Sequence, residues 1–399
     1  MKKFNKFLSV AVASAMVMSM AGCGNTDNGS AATGTNAATE SAASGSVFKI
    51  GGIGPTTGGA AVYGLAVQHG AEIAVEEINA AGGINGYQIE FKFQDDEADA
   101  EKSVNAYNAL KDWGAQIIDG STTSGACIAV TDKTKEDNMF QITPSGSAVE
   151  CVQYDNNFRV CFSNPNQGLA SAQYIGENGL AEKIAVIYDS SDVYSSGIYE
   201  KFAKEAENQP FEIVAAEAFT ADNKTDFSVQ LQKAKDAGAD MVFLPIYYQE
   251  SALILTQAAA MGYAPKWFSC DGMDGILGGV DNFDVSLTEG VMLLTPFAAD
   301  ATDDLTQSFV TKYKEKYGDT PNQFAADSYD AIYVIKAAIE KSGVTPDMSV
   351  SDICDGMKAA MTEITVDGLT GNGMTWTADG EANKAPKAVV IENGAYKAM

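Results

Sequence analysis

Histidine is nearly absent from the 399 residues: His69 stands alone. Basic side chains are also scarce, 26 Lys and Arg against 53 Asp and Glu, for a net charge of −27. A chain this acidic lacks the basic surface that nucleic-acid phosphates require, so no nucleic-acid partner is expected. Beyond the N-terminus no apolar run reaches the length of a membrane-spanning helix. The six cysteines show no C-x-x-C and no zinc spacing. Neither a Gly-x-Ser-x-Gly elbow nor a P-loop lysine occurs. With those absent, and His69 set beside a helical stripe as a packing or surface residue, a hydrolase has little support.

Other chemical motifs fail on inspection. Gly52-Ile53-Gly54-Pro55-Thr56-Thr57-Gly58 follows a strand-like run, but Thr57 occupies the third glycine position of a dinucleotide loop. The acidic cluster Asp95-Asp96-Glu97, with Asp99 and Glu101, lacks the glycine and closing glutamate of a calcium loop. It reads as negative charge favoured at a helix start. Neither metal nor cofactor is expected.

What is present begins with a targeting signal. Lys2, Lys3 and Lys6 precede an apolar stretch from Phe7 to Ala21, too short to span a membrane but suited to a signal peptide. It ends Met20-Ala21-Gly22-Cys23, which resembles a bacterial lipobox, with residues 1–22 removed and Cys23 lipidated to anchor the chain at the cell membrane. Residues 24–46 hold small and polar side chains and no large apolar one. Such a segment behaves as a flexible tether with a reach of about 25 to 30 Å.

From Val47 onward, strand and helix signals alternate. Short apolar runs at 47–53, 116–119, 139–143, 183–188, 212–218 and 240–244 read as buried parallel strands. Alanine-rich helical stripes lie between them, one formed by Ala66, Gly70, Ile73, Ala74 and Ile78 and ended by Gly82-Gly83. The composition, 46% hydrophobic and 20% charged, is globular, and the length suggests two domains. The pattern predicts an α/β protein with two doubly wound parallel-sheet lobes. Helices are expected over 226–237, 249–261, 305–317 and 325–341, and a terminal hairpin from Met374 to Glu392 with its turn at Asp379-Gly380. Cys151 and Cys161 flank a polar turn and are read as free buried thiols, a bridge being the alternative.

Parallel α/β sheets place ligands beyond the C-terminal strand ends, where helix starts offer free N–H groups. Three loops of this kind are rich in glycine or hydroxyls: 58–64, 120–125 and 143–147. Their Ser and Thr residues suit helix capping and ligand binding alike.

Several stretches then resemble one family. They are Ile53-Gly54-Pro55 with Gly58, the run Val75-Glu76-Glu77-Ile78-Asn79-Ala80-Ala81-Gly82-Gly83-Ile84-Asn85-Gly86, and Gln94-Asp95-Asp96. Further on come Ile142-Thr143-Pro144-Ser145, Phe158-Arg159, Ser328-Tyr329-Asp330-Ala331 and Asp379-Gly380. Over nearly all of its length from Val47 to the C-terminus the chain resembles the branched-chain amino-acid (leucine, isoleucine, valine) binding proteins of ABC importers, which have the type I periplasmic binding fold.

The resemblance implies two lobes joined by three hinge strands: residues 47–165 with 296–372, and residues 166–295 with 373–399. It implies a non-enzymatic receptor, monomeric, that binds a free amino acid as the lobes close and passes it to an ABC permease. A sensory receptor on the same fold is the alternative, an extracellular amidase a more remote one. By family position, Ser124 binds the α-carboxylate, Ser145 offers a backbone carbonyl to the α-ammonium, and the Ser147 hydroxyl serves both. Asp271 pairs with the ammonium from the opposite lobe, where Glu is common in the family. Tyr63, Tyr194 and Tyr247 line and shut the pocket, and Phe324 forms a wall. Thr122 and Thr123 stand where more apolar residues are common beside the ligand side chain.

Overall fold

The computed structural model describes residues 45–399; the signal peptide, Cys23 and nearly all of the tether lie outside them. Two sheets carry the architecture. The first contains β1 (Val47–Gly54), β2 (Gln88–Asp95), β3 (Ile117–Asp119), β4 (Phe140–Thr143) and β5 (Asn157–Arg159). They run parallel in the order β2-β1-β3-β4-β5, with α1 (Ala61–Ala80), α2 (Ala100–Trp113) and α3 (Ser124–Asp137) as crossovers. The central strands are buried on both faces, which is why they read as short, mainly apolar runs.

After β5 the chain crosses to a second set: α4 (Asn164–Glu177), β6 (Lys183–Asp189), α5 (Val193–Ala206), β7 (Glu212–Phe219), α6 (Ser228–Asp236), β8 (Met241–Leu244), α7 (Tyr248–Ala260), β9 (Lys266–Ser269) and β10 (Met292–Thr295). It then returns as α8 (Asp304–Tyr317), α9 (Gln323–Ser342) and α10 (Val350–Met361) to cover the first sheet. A Cβ at Gly70 of α1 would lie 2.0 Å from the Ala325 carbonyl oxygen, so α1 and α9 cross with their backbones in contact. Finally β11 (Lys387–Glu392) and β12 (Ala395–Ala398) add antiparallel strands to the second sheet, order β12-β11-β10-β9-β8-β6-β7.

The terminal hairpin differs from the sequence expectation. Asp379-Gly380 closes a small turn of its own, in which Gly380 donates its N–H to the Thr377 carbonyl at 3.0 Å. Lys387–Glu392 instead turns at Asn393-Gly394 and pairs with Ala395–Ala398. Both turn residues have positive φ, 53° and 72°, which suits a two-residue type I′ turn and for which Asn-Gly is the preferred pair. β9, and β2 and β5 at the edges of the first sheet, are likewise not announced by apolar runs, whereas β10 lies in the apolar run Val291–Leu294, which is not among the strands expected from sequence. For β2 the reason is its edge position, which leaves much of it open to solvent.

The chain thus passes between the sheets three times, and the first and third passages are pinned together. Arg159 donates its N–H to the Gly380 carbonyl at 3.1 Å, and the Trp376 indole donates to the Arg159 carbonyl at 2.7 Å. Lys384 reaches the Val160 carbonyl at 3.1 Å and forms a buried ion pair with Asp327 at 2.6 Å. Much of the acidic cluster proves to be capping. Asp99 caps α2 by accepting from the Lys102 N–H, and Asp95 accepts from Thr56, Thr57 and Glu97. His69 is half-buried, stacked on Tyr317 with ring centres 3.6 Å apart. Its role is packing. All five cysteines among the described residues are free buried thiols, Cys151 and Cys161 included.

Candidate functional site

Both sheets change winding direction next to their first strand, between β1 and β3 and between β6 and β8. A crevice opens at such switch points beyond the carboxyl ends of the strands. Here the two crevices face each other, and ten residues, from their loops and from the start of α9, line one nearly closed cavity of about 10 Å³.

Of the eight residues singled out in the sequence, seven line this cavity: Tyr63, Ser124, Ser145, Tyr194, Tyr247, Asp271 and Phe324. Ser147 is buried just behind it, its hydroxyl without a partner among the described residues. Thr122, Thr123 and Gly272 complete the wall.

Ser124 opens α3, and its oxygen accepts two backbone N–H groups, from Ser147 and Ala148, each at 3.2 Å. Both lone pairs are then engaged, and the hydroxyl proton is left to donate into the cavity. Ser145 donates its own hydroxyl to the Thr122 carbonyl at 2.6 Å, which ties the loop after β4 to the loop after β3. The Thr123 hydroxyl, also buried, has no partner among the described residues.

Across the cavity, Asp271 follows β9 and is 4% exposed. One carboxylate oxygen accepts the Tyr194 phenol at 2.6 Å and the other the Gln167 amide at 2.9 Å. Burial pushes its pKa up to about 7, the Asp327 charge adding to the rise while those hydrogen bonds oppose it. No lysine, arginine or histidine lines the cavity beside it. Gln167 was not legible as a site residue; it is a polar side chain on a helical face, without a motif. The same holds for Gln323, whose amide donates to the Asp271 carbonyl at 3.0 Å.

Aromatic rings close the remaining sides. Tyr194 and Tyr247 stack at 5.0 Å, and Tyr63 packs on Phe324 at 4.4 Å and on Tyr247 at 5.5 Å. Tyr63 belongs to α1, yet its hydroxyl donates to the Gly272 carbonyl and accepts the Tyr248 N–H. These bonds, with those of Gln323, run from the first set of elements to the second and draw the two sides together.

A family model described as periplasmic binding protein matches residues 47–395. The chain belongs to that family. Its relatives place it in the branched-chain amino-acid branch. It is 30% identical, over 303 residues, to the leucine-, isoleucine-, valine-, threonine-, and alanine-binding protein of Pseudomonas aeruginosa, covering 74% of this chain and 79% of that one. It is also 30% identical to Leu/Ile/Val-binding protein homolog 3 of Brucella melitensis over 300 residues, 75% of this chain and 80% of the relative. Among solved structures it matches the branched-chain amino acid transporter substrate binding protein LivJ from Streptococcus pneumoniae, in complex with isoleucine. That match has a TM-score of 0.79 and 29% identity, covering 88% of this chain and 98% of the other. The leucine binding protein LivK from Thermotoga maritima gives a TM-score of 0.78 at 26% identity, with the same coverage. The fold of this periplasmic binding protein is accordingly the type I, two-lobed α/β arrangement.

Proposed function

We propose that the chain is the extracytoplasmic receptor of an ABC importer and captures one free amino acid, branched-chain or similar, in the cavity between Ser124 and Asp271. One observation carries the reading: a hydroxyl donor, Ser124, and a buried carboxylate with no cationic side chain beside it, Asp271, line opposite sides of a single cavity. A zwitterion needs donors at one end and an acid at the other, because an unpaired buried charge is costly. Ser124 takes the α-carboxylate, and Asp271 the α-ammonium together with the Ser145 carbonyl. The Ser147 hydroxyl supports both groups from behind, and Tyr63, Tyr194, Tyr247 and Phe324 enclose the ligand. No covalent step is involved.

The lobes are assigned as residues 47–165 with 296–372 and residues 166–295 with 373–399. Ligand that touches both lobes shifts the population toward the closed form, which a membrane permease then recognises. Cys23, outside the described residues, carries the lipid anchor, and the receptor acts as a monomer. Calorimetric titration with the twenty amino acids is the test. Saturable one-to-one binding of an aliphatic member is expected; absence of binding by all twenty would overturn the proposal.

A further inference from the structure

None of the ten residues lining the cavity is a lysine, arginine or histidine. A carboxylate seated on Ser124 therefore meets no cation directly, although a desolvated anion requires positive potential from somewhere. Behind the cavity wall that potential exists. Arg159 ends β5 with its side chain fully buried. Its guanidinium donates to the Gly146 carbonyl at 3.2 Å and to the Ala148 carbonyl at 2.8 Å.

The Gly146 carbonyl and the Ser147 N–H belong to one peptide unit. Arg159 binds that unit at its oxygen, and the unit donates its N–H to the Ser124 oxygen. The next unit is held in the same way: its carbonyl, that of Ser147, accepts the Asn164 N–H at 2.8 Å, and its N–H, that of Ala148, also reaches Ser124. Hydrogen bonds joined end to end through peptide groups polarise one another, most strongly when one end is charged. An unbroken series thus runs from a buried cation through a peptide to the hydroxyl whose proton faces the cavity. Glu381, on the third passage between the sheets, sits 3.4 Å from the Arg159 Nε and offsets part of its charge.

Building on the carboxylate role of Ser124, we propose that Arg159 is a positioning residue that supplies the ligand carboxylate with its counter-charge through the Gly146–Ser147 peptide and Ser124. Glu381 sets how much of that charge is felt. The alternative is a plain structural anchor, and the two differ in sign at Glu381. If the ion pair merely braces the loop, removing the acid loosens it and binding weakens or stays the same. If the charge is what matters, removing the acid unmasks it and carboxylate binding tightens.

The experiment is calorimetric titration of the full chain with L-leucine and with L-leucinamide, which keeps the ammonium and side chain but carries no negative charge. Glu381→Gln is expected to bind leucine about three- to tenfold more tightly, with leucinamide affinity within about twofold of the unaltered protein. Arg159→Met, checked for folding by near-ultraviolet circular dichroism, is expected to lose at least about tenfold more affinity for leucine than for leucinamide. Weakened or unchanged leucine binding in Glu381→Gln, or equal changes for both compounds, would overturn the role of Arg159 alone. Equal affinity of the unaltered protein for the two compounds would instead remove Ser124 as the carboxylate binder, and this proposal with it.

Discussion

Tyr194 donates its phenol to Asp271 at 2.6 Å, so the protein itself holds the orientation of the acid that faces the cavity. Its second oxygen is fixed by Gln167. The carboxylate is thereby pre-positioned for an ammonium group, and little rotamer freedom remains to be lost on binding.

Replacing that acid should strand the ammonium. Asp271→Ala is expected to weaken amino-acid binding by about 2 to 5 kcal/mol, measured by calorimetry. An unchanged dissociation constant would discard the ammonium role.

Ser124→Ala removes the donor at the other end and leaves the N–H groups of Ser147 and Ala148 without their acceptor. Binding should weaken by about 1 to 3 kcal/mol. The melting temperature should fall as well, in contrast to Glu381→Gln, where tightening is expected.

Proton linkage gives a test independent of mutation. Burial, the leading cause in each case, pushes Asp271 and Asp119 up to about 7 and Asp274 and Asp327 up to about 6. An acid whose pKa is raised on folding holds extra protons in the native state between its unfolded value, ~4, and its folded value. Stability of the ligand-free protein should therefore decline as pH rises from about 4 to about 7 and level off above. An ammonium ligand favours ionised Asp271, so affinity should climb over pH 5 to about 7.5 and then flatten. Dissociation constants that agree at pH 5.5 and pH 8 would exclude Asp271 as the partner.

At the hinge, Lys384→Met should be costly. The Lys384–Asp327 pair is almost wholly enclosed, at 1% and 3% side-chain exposure, and Asp330 lies close enough to feel its charge. Removing the cation leaves Asp327 buried and unpaired, a loss of about 3 to 5 kcal/mol by denaturant unfolding. A change below about 1 kcal/mol would mean that the acids simply take up protons.

The long central strands and helices were legible because burial on both faces and helical stripes leave distinct periodicities in sequence. Val47–Gly54 and Lys183–Asp189 are examples. The hydroxyl loops were legible as helix starts after strands, though only the family resemblance assigned roles to Ser124 and Asp271. Gln167 and Gln323 escaped because their importance lies in reaching Asp271 across 104 and 52 positions of sequence, a separation no local pattern encodes. The terminal hairpin differs from the sequence expectation although its turn signal is present in the sequence. Asn393-Gly394 is a stronger turn pair than Asp379-Gly380 when apolar residues flank it.

The contact of α1 with α9 at Gly70 and Ala325 has a consequence for biogenesis. The inner face of a helix made early in synthesis is covered by one made near the end. A nascent chain halted before Ala325 leaves the Gly70 side of that helix uncovered, so the packing around the first sheet is incomplete until α9 is made. Completion of the first sheet's helical cover therefore waits for nearly the whole polypeptide.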